Sequence, residues 1–208
     1  MSTNSELGNL IAYKDTQPED GPFILVVGRE QNETGTVVNK VKQYDFDTAP
    51  RCQFWVASYA MAAHAAEIGT QRFKGACRQL RTSPILYADC LPVCIPEETR
   101  SKWSIRDRVP EQQKIDHALS ILAHSDYIKN VAIILFSGVR HPVFDASRDI
   151  LAAGAHPGTI VVNGLHLYSN RTASKNKLII SPEATGKCGE IAQDFVQRHE
   201  QSDHPKAV

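Results

Sequence analysis

The sequence carries no surplus of charge of either sign, because Lys and Arg together number 23 and Asp and Glu together also number 23. Proteins that bind DNA through charge alone depend on a basic surplus, since neutralisation of phosphates supplies most of their affinity. The balance argues against that class of protein. It is still compatible with an enzyme that has a locally basic groove.

Long apolar runs are also absent, and the longest one covers only Val131–Phe136. A membrane-spanning helix needs roughly 20 apolar residues. The first residues of the chain have neither the basic stretch nor the apolar core of a secretory signal peptide. We therefore expect a cytoplasmic protein that does not insert into a membrane.

Cysteine is scarce and odd in number, with five residues of which only Cys90 and Cys94 lie close together. Such usage is typical of reduced thiols in a cytosolic protein. The spacing of this pair and the lack of a His-x-Glu segment exclude a zinc-dependent base deaminase. The cysteines also do not match the four-cysteine pattern of an iron–sulfur cluster. We predict no metal site and no cofactor.

The remaining features indicate one domain over residues 1–208, with its core at about 22–200 between polar ends. Four short apolar runs lie at Phe23–Val27, Pro84–Tyr87, Val131–Phe136 and Thr159–Val162. Such runs are typical of parallel strands covered on both faces. Helical spacing of apolar residues is found at 51–68, 111–123, 143–153 and 183–199. The alternation predicts an α/β fold, a three-layer α/β/α sandwich around a four-stranded, mainly parallel sheet. We expect a monomer.

Polar residues follow all four runs, where sheets of this kind bind their ligands. In order along the chain, these segments resemble motifs of the uracil-DNA glycosylase superfamily. Gly28–Asn32 resembles the family's water-positioning motif, Asp89 stands at its base-reading Asn, and Gly164–Asn170 resembles its His-Pro-Ser loop. Pro50–Trp55 is similar to the helix start of the mismatch-specific thymine/uracil branch. The resemblance covers about residues 22–172.

The chain departs from the family motifs at Gln31 and Leu167, which replace prolines that are usual there. The resemblance implies a monofunctional DNA glycosylase, which flips a base out of DNA and hydrolyses its N-glycosidic bond to leave an abasic site. Glu30 would orient the attacking water and steady the cation-like sugar of the transition state. His166 would donate a hydrogen bond to the departing base.

The residues by themselves leave other interpretations open. Glu30 could be a solvated side chain after a strand, and His166 could be packed against the sheet edge. Two further histidines near strand ends, His141 and His156, compete with His166 for its role.

Asp89 bears on the identity of the base. An ionised carboxylate only accepts hydrogen bonds, so it suits the amino group of cytosine better than the carbonyl oxygen of uracil. A protonated Asp89 could read either base, and the residue could equally cap a loop or pair with an arginine. We expect a modified cytosine such as those in phage DNA, because excision of ordinary cytosine would be toxic to a host. The protein would then serve in antiviral defence.

Further residues complete the predicted DNA site. For the base pocket we expect Asn32, with Tyr44 or Phe46 stacking on the base, and Trp55 in the core beneath it. The residues expected to contact the DNA strand or fill the gap left by the base are Ser137, Arg140, Ser169, Asn170, Arg171 and Lys175. The last of these lie in a segment that could also be a plain surface loop.

The stretch 91–109 is expected to be irregular. Its notable side chains are Arg100, Lys102, Trp103, Arg106 and Arg108. Basic residues interleaved with a tryptophan could line a DNA groove or recognise a bulky base modification. They could equally form a solvated loop anchored by the tryptophan.

Three other functions remain compatible with the sequence. The first is a uracil or mismatch repair glycosylase. The second is a nucleoside N-ribosyl hydrolase or transferase, which would use similar carboxylate chemistry without a DNA groove. The third is a catalytically inert DNA-binding protein on the same fold.

Overall fold

The computed structural model describes residues 9–32, 43–44, 53–95, 101–165 and 181–202. Its strands are β1 (Ala12–Tyr13), β2 (Phe23–Gly28), β3 (Gln31–Asn32), β4 (Gln43–Tyr44), β5 (Ile85–Asp89), β6 (Cys94–Ile95), β7 (Val131–Ser137) and β8 (Ile160–Leu165). Its α-helices are α1 (Gln53–Ala65), α2 (Thr70–Leu80), α3 (Lys102–Arg106), α4 (Glu111–Leu122), α5 (Ser125–Ile128), α6 (Asp145–Ala153) and α7 (Pro182–Ser202). Short 3-10 turns at Pro18–Asp20 and Pro142–Phe144 precede β2 and α6.

The central sheet has four strands in the order β5-β2-β7-β8, and every neighbouring pair is parallel. These are the four apolar runs of the sequence, each extended slightly at its carboxyl end. The predicted sheet is therefore confirmed, and it is entirely parallel. Two small ladders lie beside it, one formed by β1 and β4 and the other by β3 and β6.

Helices cover both faces of the sheet, as the three-layer prediction required. Alternate residues of a strand face opposite sides. Ile24 and Val26 of β2 belong to a buried cluster with residues of α1, α2 and α7. Leu25 and Val27 belong to a second cluster with residues of α4, α5 and α6. Burial on both faces explains why these strands read as continuous apolar runs.

The connections define where the sheet can bind a ligand. From β2 the chain passes through α1 and α2 to the edge strand β5, and from β7 it passes through α6 to the opposite edge strand β8. The two connections leave in opposite directions and pack on opposite faces. Doubly wound sheets bind their ligands at such a reversal, outside the carboxyl ends of the two strands concerned, which are β2 and β7 here.

The sequence expectations did not include helix α2 or the regular structure within residues 91–109. Helix α2 was not predicted, because only Phe73, Ala76 and Cys77 of its residues are buried among mostly polar neighbours. The stretch 91–109 is less irregular than expected, since it contains β6 and the short helix α3. Ser101 caps α3 by accepting a hydrogen bond from the backbone N–H of Ser104, and β6 forms only by pairing with the distant β3.

Helix α7 approaches the end of α1 closely at a glycine. A Cβ added at Gly189 would lie 2.5 Å from the carbonyl oxygen of Ala65, whereas one added at Gly186 would meet nothing within 4 Å. Glycine at 189 therefore allows the two helices to pack at this distance. Within the described ranges, no helix combines the length and hydrophobicity that a membrane span requires.

Candidate active site

The carboxyl ends of the central strands bring the predicted site segments to one edge. Gly28 of β2 is paired in register with Asp89 of β5, and Ser137 of β7 with Leu165 of β8. The segments that leave β2 and β5 are thus direct neighbours, as are those that leave β7 and β8. Because β2 and β7 are themselves paired, the two pairs of segments lie side by side at this edge.

Backbone hydrogen bonds hold the β2 and β5 exits side by side. The N–H of Cys90 donates to the carbonyl oxygen of Gly28 at 3.0 Å, and that of Leu91 donates to the carbonyl oxygen of Arg29 at 2.9 Å. The two segments then continue as the β3–β6 ladder. This ladder fixes the residue that follows Arg29 beside the end of β5, which is how Glu30 and Asp89 become neighbours.

Glu30 is held in a buried ion pair. The Nε and Nη2 groups of Arg106 donate to Oε2 and Oε1 of Glu30 at 2.8 Å and 2.6 Å. The Glu30 side chain has no exposed surface, and that of Arg106 is 2% exposed. A two-bond pair of this kind is the favoured geometry for arginine and a carboxylate. The pair ties α3 to the exit of β2, so Glu30 is not a solvated residue.

Trp103 lies on the other side of Arg106. The guanidinium carbon of Arg106 is 4.5 Å from the centroid of the indole ring. The His141 ring centroid is 4.3 Å from that of Trp103, and the Phe144 ring centroid is 6.4 Å away. Despite these contacts the residue is 42% exposed. Glu30, Arg106 and Trp103 thus form a continuous series from the buried end of β2 to the surface.

Asp89 is the second carboxyl group of the site and is partly buried. Burial, reinforced by the negative charge of Glu30, raises the pKa of Asp89 to about 7. Removing the charged form from water is unfavourable, so the side chain holds its proton far more readily than an exposed aspartate. Near neutral pH both the carboxylic acid and the carboxylate are populated.

His117 of α4 fixes the backbone at the same point. Its Nε2 lies 2.8 Å from the carbonyl oxygen of Asp89, and because a carbonyl can only accept, Nε2 is the donor. Burial lowers the pKa of His117, and the hydrogen bond to Asp89 opposes this in part. The next residue, Cys90, is held in a similar way, because the hydroxyl of Ser147 donates to its carbonyl oxygen at 2.5 Å.

The β7 exit lies beside the β2 exit. Ser137 is buried at the end of the strand, whereas Arg140 is exposed. Gly138 has a φ of +74°, a conformation that favours glycine, and a Cβ there would lie 3.6 Å from Cδ of Arg29. The Arg29 side chain therefore reaches from the β2 exit across to the turn after β7.

The structure thus brings Glu30 and Asp89 together and places Ser137 and Arg140 on the neighbouring exit. For Asn32 and Tyr44 it describes only the backbone, in β3 and β4. The remaining predicted site residues lie outside the described ranges: Phe46, His166, Ser169, Asn170, Arg171 and Lys175. The side chain of Trp55 is also outside them.

Of the competing histidines, His141 lies at the candidate site, in contact with Trp103. His156 precedes β8 and lies at the opposite, amino-terminal edge of the sheet. There it lines an open cleft of about 490 Å³ together with Glu19 and Lys129. Because this cleft is at the far end of the strands from Asp89, it is not part of the candidate site.

Arg106 was expected only as one of several cations in the stretch 91–109, and its pairing with Glu30 was not foreseen. The available signal was the spacing of Trp103 and Arg106, which places both on one face of a helix. In the described part of the chain, no cluster of three or more His, Cys, Asp or Glu side chains is placed to hold a metal ion.

Comparison of the chain with protein-family models, with curated proteins and with solved structures gave no match. Any function assigned to this chain therefore depends on its own residues and their geometry.

Proposed function

We propose that this chain is a DNA glycosylase that extrudes a base from DNA and hydrolyses its N-glycosidic bond. In that reaction the bond between the base and C1′ of the sugar breaks, water adds to C1′, and a proton goes to the departing base. The observation that supports the proposal is the juxtaposition of Asp89 with Glu30 at the carboxyl edge of the sheet. Paired carboxyl groups of unlike environment are typical of glycosidic bond cleavage.

In this proposal Asp89 reads the extruded base. A neutral carboxyl group offers one donor and one acceptor, and it can match N3 and the 4-amino group of cytosine. The same group can also match N3–H and O4 of uracil, so the neutral acid does not separate the two bases. The carboxylate accepts one hydrogen bond from either base, from the 4-amino group of cytosine or from N3–H of uracil, so it does not separate them. We propose a cytosine derivative as the substrate, read by the neutral acid that is populated near pH 7.

Glu30 is the proposed stabiliser of the cation-like sugar. Both of its oxygens accept hydrogen bonds from Arg106, and the side chain is enclosed. Because the side chain is enclosed, direct contact with water or sugar requires displacement of a group that covers it, such as Arg106. Without that displacement Glu30 acts only through its electrostatic field, which Arg106 partly cancels. Which of these two possibilities holds determines how a substitution of Arg106 would change the excision rate.

A base-excision assay tests the proposal. Labelled oligonucleotides carry cytosine, 5-hydroxymethylcytosine, glucosylated 5-hydroxymethylcytosine or uracil at one position, and alkali then breaks the strand at any abasic site. We expect excision of a substituted cytosine, and excision of uracil alone would instead indicate a repair enzyme. Ordinary cytosine should be spared, because the proposed antiviral role requires the modification to mark foreign DNA.

Substitutions of Asp89 and Glu30 test the role proposed for each residue in base excision. Glu30→Gln should lower the excision rate at least ~100-fold if Glu30 acts as an electrostatic catalyst, and Asp89→Ala should also lower it, because the variant lacks the donor and the acceptor that read the base. Asp126→Asn is the matched control, since Asp126 is an exposed carboxyl on α5 that pairs with Lys129. Full activity in Asp89→Ala would contradict the base-reading role. Cleavage of free nucleosides with no action on DNA would contradict the glycosylase proposal as a whole.

A further inference from the structure

Trp103 is an unusual surface residue. In the described ranges the exposed large apolar side chains are Trp103, at 42%, and Leu119, at 50%. Leu119 lies on α4, whereas Trp103 contacts the segment that follows β7. Scattered apolar residues on a surface need no explanation. Trp103 differs because several side chains hold its ring and exposed basic residues neighbour it in the sequence.

The indole ring is held by several partners. Arg106, itself locked by two hydrogen bonds to Glu30, has its guanidinium carbon 4.5 Å from the ring centroid. His141 and the buried Phe144 contact it from the β7 exit. A side chain that is ordered before binding loses little conformational entropy when a ligand covers it. The exposed part of the ring is therefore a prepared contact surface.

The exposed charged residues that neighbour Trp103 and His141 in the sequence are mainly basic. Lys102 and Arg108 lie on either side of Trp103 along the chain, and Arg140 precedes His141; all three are exposed. Asp107 is an exposed acid in the same segment, so the local balance still favours cations. An aromatic ring among exposed basic groups matches a single nucleic acid strand, whose bases stack on aromatic rings while its phosphates meet cations.

The same arrangement separates Trp103 from the base-reading carboxyl. Asp89 neighbours Glu30, Glu30 binds Arg106, and Arg106 lies against Trp103. The Glu30–Arg106 pair therefore links Asp89 to the ring.

We propose that the exposed indole of Trp103 stacks on a second nucleobase of the bound DNA strand, distinct from the base that Asp89 reads, with Lys102, Arg108 and Arg140 near its phosphates. This inference rests on the proposed function in taking DNA as the ligand. It assigns Trp103 to binding of the strand, and the chemistry does not depend on it. A protein partner on the same ring is the alternative that the experiment separates.

The test measures binding of a fluorescein-labelled single-stranded 12-mer by fluorescence anisotropy. Loss of one base stack is worth about 1–3 kcal/mol, so Trp103→Ala should weaken binding roughly 5- to 150-fold. Trp103→Phe should retain most of the affinity because phenylalanine also presents a flat ring. Leu119→Ala is the matched control for loss of an exposed apolar side chain and should bind as the wild type does. Circular dichroism of each variant verifies folding.

Two further readouts identify stacking. The dependence of affinity on salt should be unchanged in Trp103→Ala, whereas Arg108→Ala should reduce its slope by about one phosphate contact. A series of 12-mers in which each nucleotide in turn lacks its base locates the partner of Trp103. At one position the wild type should lose affinity while Trp103→Ala should not, because the stack is already absent in that variant.

The outcomes separate this inference from the proposed function. If the wild type excises a base but Trp103→Ala binds DNA equally well, the stacking role is wrong and the glycosylase proposal stands. If binding depends on Trp103 but no substrate yields abasic sites, the glycosylase proposal is wrong and the stacking role stands. A wild type that binds no oligonucleotide would overturn both and would point to a protein partner for this surface.

Discussion

Replacing Arg106 by methionine would leave the carboxylate of Glu30 enclosed without its charged partner. Both oxygens of Glu30 accept from Arg106, at 2.6 Å and 2.8 Å, and neither side chain is more than 2% exposed. Removal of one partner of a buried ion pair typically lowers the free energy of unfolding by about 3–5 kcal/mol, because the remaining charge stays out of water. Loss of the contact with Trp103 adds about 0.5–1 kcal/mol.

The expected cost is a large part of the total stability of a domain, which is about 5–15 kcal/mol. Urea unfolding followed by circular dichroism measures it directly. With a urea dependence of about 2 kcal/mol per molar, the midpoint of Arg106→Met should fall by roughly 2 M. Arg72→Met is the control, because the Arg72–Glu200 pair is exposed, at 57% and 48% of the two side chains. Exposed pairs contribute less than about 1 kcal/mol.

The double variant distinguishes loss of the partner from loss of side-chain packing. Arg106→Met combined with Glu30→Leu removes both charges, and such replacements of a whole buried pair are often neutral or stabilising. We expect the double variant to recover most of the stability that Arg106→Met loses. If Arg106→Met unfolds at the wild-type urea concentration, or if the two changes simply add, the reasoning about the pair is refuted.

Two further predictions concern stability. The pKa of Asp89 is raised from its ordinary 3.8 to about 7, so its contribution to stability is complete below about pH 4 and is lost as the pH rises through 7. The Asp89→Asn variant should therefore be more stable than the wild type at pH 8, by up to about 4 kcal/mol, with a flatter profile in urea titrations. If the stabilities of the wild type and Asp89→Asn change in the same way with pH, this reasoning about Asp89 is wrong. Gly189→Ala should destabilise the protein by about 1–3 kcal/mol through overlap with the backbone of Ala65, whereas Gly186→Ala should stabilise α7 by up to about 1 kcal/mol. Equal thermal midpoints for the two glycine variants would show that α7 does not pack as described.

Local signals account for the predicted layers of the fold. Runs such as Phe23–Val27 and Val131–Phe136 are apolar at every position, which only a strand buried on both faces requires. The spacing of apolar residues in 111–123 matches a helix with one buried face, and α4 is found at Glu111–Leu122. Helix α2 was missed because most of its residues are polar, although its buried residues Phe73, Ala76 and Cys77 have helical spacing.

For the candidate site, the sequence by itself determined that polar groups follow the strands, and parallel strands necessarily bring those groups to one edge. Glu30 and Asp89 could be selected in this way. Only the tertiary structure decided what surrounds them. The partner of Glu30 is Arg106, which is distant from it in the sequence. The contacts that connect Asp89 to Trp103 through this pair exist because α3 packs onto the exit of β2. Burial, pairing and raised pKa values depend on such long-range packing, which no local pattern encodes.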